Sequence, residues 1–214
     1  EASLNWQPTT GTEAYLVDLS VSSGFDEDSL VFSNFPLVVP FQVLEELNPG
    51  TRYYVRIQSS NSSGRSGDMD PADYGQAEFL TKPVTPVLST TQSISDVSQS
   101  SIRLSWEAVS DVVDGYNLQV ETTSNFLQGS LLPDWENRQL SKETTTVLID
   151  KLVAGTQYYA RLSSFNATGN SQYSQVLSLL TLPETPSFNP VTDIEQARAT
   201  INWNPVSEIF DGYN

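Results

Sequence analysis

The sequence predicts an all-β protein made of antiparallel β-sandwiches in tandem, and three observations predict it. A phrase is written twice: "LNPGTRYYVRIQSSNSSGRS" at Leu47–Ser66 and "LVAGTQYYARLSSFNATGNS" at Leu152–Ser171 agree at 10 of 20 positions. Apolar and polar residues alternate over short runs, the period of two that a half-buried strand requires. No stretch carries the 3.6-residue period of an amphipathic helix. Clusters of Gly, Pro, Asn, Asp and Ser separate the runs instead.

The repeat sets the organisation. The chain has 214 residues, room for about two domains of ~100 residues. Trp6 in "SLNW", Trp106 in "RLSW" and Trp203 in "TINW" stand 100 and 97 residues apart. A tyrosine follows each by nine or ten positions: Tyr15, Tyr116 and Tyr213. "LTKPVTP" at Leu80–Pro86 returns as "LTLPETP" at Leu180–Pro186. A fixed period of this size marks a domain array.

Strands are placed most firmly in the second copy. Ile102, Leu104 and Trp106 share one face of Ser101–Ala108, and Tyr116, Leu118 and Val120 share one face of Asp114–Glu121. Tyr158, Ala160 and Leu162 do the same in Gln157–Phe165, as Tyr53, Val55 and Ile57 do in the first copy. Further strands are expected near Pro86–Val97, Thr145–Leu152 and Ser174–Thr181, with an edge strand within Phe126–Leu140. Trp135, with no counterpart found in the first copy, either covers the sheet edge there or stands exposed. Leu30–Phe41, containing "FPLVVPF", is expected to be mostly core or edge cover.

Composition excludes several functions. With 26 acidic and 10 basic residues the net charge is −16, a field that repels nucleic-acid backbones and anionic membrane surfaces. Hydrophobic residues make up 38% and aromatics 10%, enough to build cores. There is no Cys and no His, so disulfides, thiolate sites, the Ser-His-Asp arrangement and the commonest metal ligand are all absent. No apolar run reaches the ~18 residues of a membrane span, so no membrane insertion is expected. No signal peptide is visible at Glu1, which is read as a start internal to a longer protein.

Together these landmarks resemble the fibronectin type III domain: Trp ending an early strand, Tyr about ten residues on, "L-x-P-G-T-x-Y-Y-V-R", "N-x-x-G-x-S" and a closing "T-x-P-x-T-P". Ala154 stands where the usual Pro would be. The resemblance implies immunoglobulin-like sandwiches of seven strands. It divides the chain into residues 1–82, a domain lacking its first strand; 83–182, a complete domain; and 183–214, the first strands of a third. It also implies that Tyr53 and Tyr158 are corner tyrosines whose hydroxyls bond nearby backbone, with Gly50 and Gly155 permitting the turn before them. Trp6, Trp106 and Trp203 are implied to fill the space between sheets. "DGYNLQVETTSNF" and its surroundings are similar in wording to domains of secreted proteins of the Bacteroidetes phylum, many displayed on the cell surface through the type IX system.

Candidate sites lie in loops. Asp68, Asp70 and Asp73 in "GDMDPADY" could offer oxygens to calcium, and Asp26, Glu27 and Asp28 form a second acidic group. Asn61-Ser62-Ser63 and Asn166-Ala167-Thr168 fit the N-glycosylation pattern. Asp28-Ser29-Leu30 resembles the O-glycosylation acceptor of Bacteroidetes proteins, with Ser29 as the acceptor. Arg65-Ser66-Gly67-Asp68 is not in Arg-Gly-Asp order. No catalytic residue and no cofactor other than calcium is expected.

The reading is a non-catalytic extracellular or cell-surface spacer in a large bacterial protein. Its partners are the neighbouring domains of the same longer chain. The alternatives are an adhesin segment binding a protein or glycan, and accessory domains of a secreted polysaccharide-degrading enzyme.

Overall fold

The computed structural model describes residues 1–67, 74–89, 93–109, 112–126 and 132–206. Two compact units are distinguished: Glu1–Val84 with Ser110–Asp114 and Phe165–Ser171, and Thr85–Val109 with Gly115–Ser164 and the chain from Gln172 onward. Among the described residues all regular structure is strand, apart from two single 3-10 turns at Glu27–Ser29 and Pro133–Trp135.

The first sandwich uses strands β1 (Ala2–Asn5), β2 (Ala14–Ser20), β3 (Leu30–Leu37), β4 (Phe41–Leu44), β5 (Arg52–Asn61), β6 (Gly64–Arg65) and β7 (Gly75–Leu80). One sheet is the antiparallel pair β1–β4; the other runs β3-β2-β5-β6, with β7 also pairing β5. The period-two pattern turns Val17 and Leu19 of β2 and Tyr53 and Val55 of β5 to the same interior, where Leu44 of β4 meets them. Trp6 and Phe32 pack against this cluster.

The second sandwich uses β8 (Ile94–Ser95), β9 (Ile102–Ser105), β10 (Gly115–Glu121), β11 (Arg138–Ser141), β12 (Thr146–Ile149), β13 (Gln157–Asn166), β14 (Gly169–Asn170) and β15 (Leu177–Leu180). Its sheets are β12-β9-β8 and β11-β10-β13-β14, with β15 pairing β13. β8, β9, β10, β12 and β15 fall within the segments expected for them, β11 and β13 each run one residue past theirs, and β14 was not expected. The interior is filled by Ile102, Leu104, Tyr116, Leu118, Val120 and Leu162, among others, all fully buried.

One open alternative is decided and two expectations are corrected. Of the two places open to Trp135 the structure shows the covered one: it is 2% exposed and belongs to the second core. Leu30–Phe41 is not mostly cover: Phe32 and Leu37 pack inward, but Val31, Phe35, Val38, Val39 and Phe41 are exposed. Trp203 does not fill a core, being 45% exposed. Within residues 183–206 the strand pairing consists of the isolated bridges Phe188–Trp203 and Thr192–Thr200, and an antiparallel pair without a second layer leaves its apolar side chains in solvent.

Candidate functional site

Both sandwiches repeat one clamp at the turn that precedes their longest strand. The Tyr53 hydroxyl accepts the Asn48 N–H at 2.9 Å, and the Tyr158 hydroxyl accepts the Val153 N–H at 2.8 Å. Gly50 and Gly155 sit at φ 52° and 55°, the left-handed region where a Cβ is disfavoured. A threonine closes each turn from the last strand. The Thr81 Oγ1 accepts the Thr51 N–H at 2.9 Å and donates to the Asn48 carbonyl at 2.7 Å. The Thr181 Oγ1 accepts the Thr156 N–H at 2.9 Å and donates to the Val153 carbonyl at 2.7 Å. The "L-T-x-P" landmark therefore does more than link domains: its threonine ties the final strand to the corner. The recurrence of Thr at matched spacing was the signal.

A second repeated construction lies on the outer face of the larger sheets, and sequence reasoning missed it. In the first sandwich the Arg56 guanidinium lies over Phe25 at 4.4 Å and Tyr74 at 5.3 Å, while its Nε donates to Asp18 at 2.5 Å. In the second, Arg161 lies over Phe126 at 4.1 Å and Tyr173 at 4.0 Å, and its Nε donates to Gln119 Oε1 at 2.7 Å. Gln119 in turn donates to Asn137. Stacking of this kind contributes ~0.5–2 kcal/mol, more when desolvated. It also accounts for the burial of Gln119, on the outward side of β10: alternation marked it as solvent-facing, but the arginine and its rings belong to the same face. The available signal was the recurrence of the arginine within the repeated phrase, Arg56 in "YYVR" and Arg161 in "YYAR".

The tryptophans differ by copy. Trp106 packs edge-on to Tyr116, centroids 5.5 Å apart, and Trp6 to Tyr15 at 5.4 Å. Trp203 is exposed as described above.

Among the modification candidates, Asn61 is exposed; its Nδ2 donates to the Gly11 carbonyl at 3.0 Å and its Oδ1 accepts the Ser63 N–H at 2.9 Å. Asn166 is only 5% exposed; its Nδ2 donates to the Val112 carbonyl at 3.1 Å and its Oδ1 accepts the Thr168 N–H at 3.0 Å. The Ser29 hydroxyl donates to the Asp26 carbonyl at 2.7 Å and lies 2.8 Å from the Ser20 hydroxyl. Asp68, Asp70 and Asp73 lie outside the described residues. Among the described residues no group of three or more acidic side chains could hold a metal ion, and no helix is long and apolar enough to cross a membrane.

A salt bridge outside these features pins the turn that carries Trp135. Lys151 Nζ donates to Asp134 Oδ2 at 2.8 Å. The hydrogen bond and then the charge of Lys151 hold the Asp134 carboxyl below its ordinary range, and the same bond pushes Lys151 up.

The family model of the fibronectin type III domain matches residues 89–179. The match covers most of the second sandwich. Contactin-1 of Gallus gallus is 23% identical over 166 residues, covering 76% of this chain and 16% of that protein. A neural cell adhesion molecule L1-like protein of Mus musculus is 23% identical over 160 residues, covering 71% of this chain and 13% of that protein. The chain thus spans less than a fifth of either relative. A solved segment of two fibronectin type III domains from chicken tenascin is 18% identical with a TM-score of 0.47, covering 84% of this chain and 91% of that one. The described residues are all-β, arranged in antiparallel sheets in both sandwiches.

Proposed function

We propose that this chain is a non-catalytic extracellular or cell-surface segment whose fibronectin type III domains act as a spacer. The observation that supports this most strongly is the repetition of the corner clamp. Each sandwich has its own interior and its own tyrosine and threonine ties, so each can hold its shape without a ligand. The partition into 1–82, 83–182 and 183–214, with neighbouring domains of the same longer chain as partners, belongs to this reading. So does a bacterial source, which rests on the wording of the second repeat; the relatives named above come from chicken and mouse. The word adhesion in the name of the mouse relative supports a surface setting. No cofactor is assigned, and calcium at Asp68, Asp70 and Asp73 is removed if calorimetry at neutral pH detects no heat.

The spacer reading is tested in the full-length protein by exchanging this segment for two unrelated fibronectin type III domains. Retained activity of the remaining domains supports a spacer. Loss of attachment on exchange assigns binding to the segment itself. That second reading is favoured by one observation, the exposed strip Val31, Phe35, Val38, Val39 and Phe41, since apolar patches of this kind mark interaction sites.

A further inference from the structure

The two sandwiches differ at one edge, and the difference leaves an opening in the first. Strand pairing sets Leu37 opposite Tyr15 and Leu140 opposite Tyr116. Five residues earlier in each copy stand Phe32 and Trp135, both against their cores. Trp135 therefore does have a counterpart, a smaller ring. In the second sandwich Trp135 is covered by Arg138, whose guanidinium lies 4.4 Å from the indole, and its turn is tied by Asp134 to Lys151. The same places in the first sandwich hold Phe35, Val31 and Glu46. The correspondence extends to the backbone, since Glu46 and Lys151 both adopt a positive φ, 54° and 58°.

Beside the smaller ring the first sandwich carries a groove of about 280 Å³. Its lining includes Leu19, Leu44 and Tyr53 of the core, Val31 and Phe35 of β3, and Glu45 and Glu46, which follow β4. An apolar cavity of about 150 Å³ is enough to hold a benzene ring. The second sandwich shows what fills such a site: an aromatic side chain preceded by a charged residue that pairs with the position of Lys151. In the first sandwich that position is Glu46, so the complementary charge is positive.

We infer that the first sandwich is a docking site for an aromatic side chain flanked by Lys or Arg on a partner polypeptide. The ring enters the groove beside Phe32 and the basic group pairs with Glu46 and Glu45. This deepens the binding reading and rests on it, and the two fail separately: exchange of the whole segment reports binding by any of its surfaces, whereas the test below reports this groove alone.

The test uses the whole chain with methyl-labelled Leu and Val, titrated with acetyl-Lys-Trp-Lys-amide and acetyl-Glu-Trp-Glu-amide. The basic peptide is expected to shift the methyl resonances of Leu19, Leu44 and Val31, and to bind at least about tenfold more tightly than the acidic one. Phe32→Trp, which builds in the second sandwich's own ring, is expected to abolish those shifts and raise the unfolding midpoint of the first sandwich. Glu46→Lys is expected to reverse the preference between peptides. Its backbone conformation is one that Lys151 already adopts, so it decides the matter if Phe32→Trp does not fold. A global effect of the net charge of −16 would survive Glu46→Lys. The inference is overturned by shifts elsewhere or nowhere, by equal binding of both peptides, or by a preference that Glu46→Lys leaves unchanged.

Discussion

Tyr158 and Tyr53 each spend their one hydroxyl on a backbone N–H five residues upstream. Removing that oxygen leaves the N–H without its partner, which costs ~1–2 kcal/mol where water cannot replace it. Tyr158→Phe is therefore expected to lower the stability of the second sandwich by about 1 kcal/mol in urea unfolding. Thr181→Val removes a donor and an acceptor at once and is expected to cost ~1–3 kcal/mol. Unchanged midpoints for both variants would remove the clamp from the account. The two asparagine acceptors separate at the same scale. A sugar on Nδ2 of Asn166 has to displace the bond to the Val112 carbonyl and enter a buried site, whereas Asn61 faces solvent. Folded protein secreted from a glycosylating host is expected to carry sugar at Asn61 and not at Asn166, as read by glycopeptide mass spectrometry. Full occupancy of Asn166 in folded material would contradict the burial.

Strand elements were legible where one face is buried and the other is not. Tyr116, Leu118 and Val120 alternate because β10 has a core face, and alternation is what that physics writes. The outer face was less legible: Gln119 and Asp18 look like ordinary surface residues until Arg161 and Arg56, some forty positions away in sequence, are laid beside them. Trp135 was illegible for a related reason. Its turn has no period, so nothing in the local pattern marks the ring as part of the core it enters. Trp203 fails in the opposite sense, since its repeat position promises a core that only additional strands can build. Truncating the wedge, Trp135→Ala, is expected to cost ~3–5 kcal/mol, the usual range for a buried tryptophan.

The Asp134–Lys151 tie to the same wedge has a defined pH window. A lowered carboxyl pKa gives a contribution present above the ordinary aspartate value of about 3.9 and lost as the pH falls through the lowered one. A raised lysine pKa gives a contribution complete below about 10.4 and lost as the pH rises through the raised value. The stability difference between the native chain and Asp134→Asn is thus expected to be flat near neutrality and to shrink in strong acid. A difference that instead grows as the pH falls would rule the tie out.

At the scale of the molecule, the account holds that a sandwich of this repeat is a mechanical unit. The second sandwich has the larger buried interior, with a three-stranded sheet facing its partner sheet and Trp135 sealing one edge. The first has a two-stranded sheet and an open groove in the place of that seal. Since stability grows with apolar area removed from water, at roughly 25 cal/mol per Å², the first sandwich is expected to unfold at lower denaturant than the second. The repeat period and the landmark residues made this array readable from sequence. The inequality between copies was not readable, because it depends on how many strands each smaller sheet gathers and on a ring difference that only strand register aligns. The most direct measurement is the stretching of the chain between its ends by single-molecule force spectroscopy. The account expects a discrete event for the second sandwich that releases about 300 Å of chain, from roughly ninety residues at ~3.3–3.6 Å each, after any event of the first. Smooth extension with no such step, or a first sandwich that outlasts the second, would contradict it.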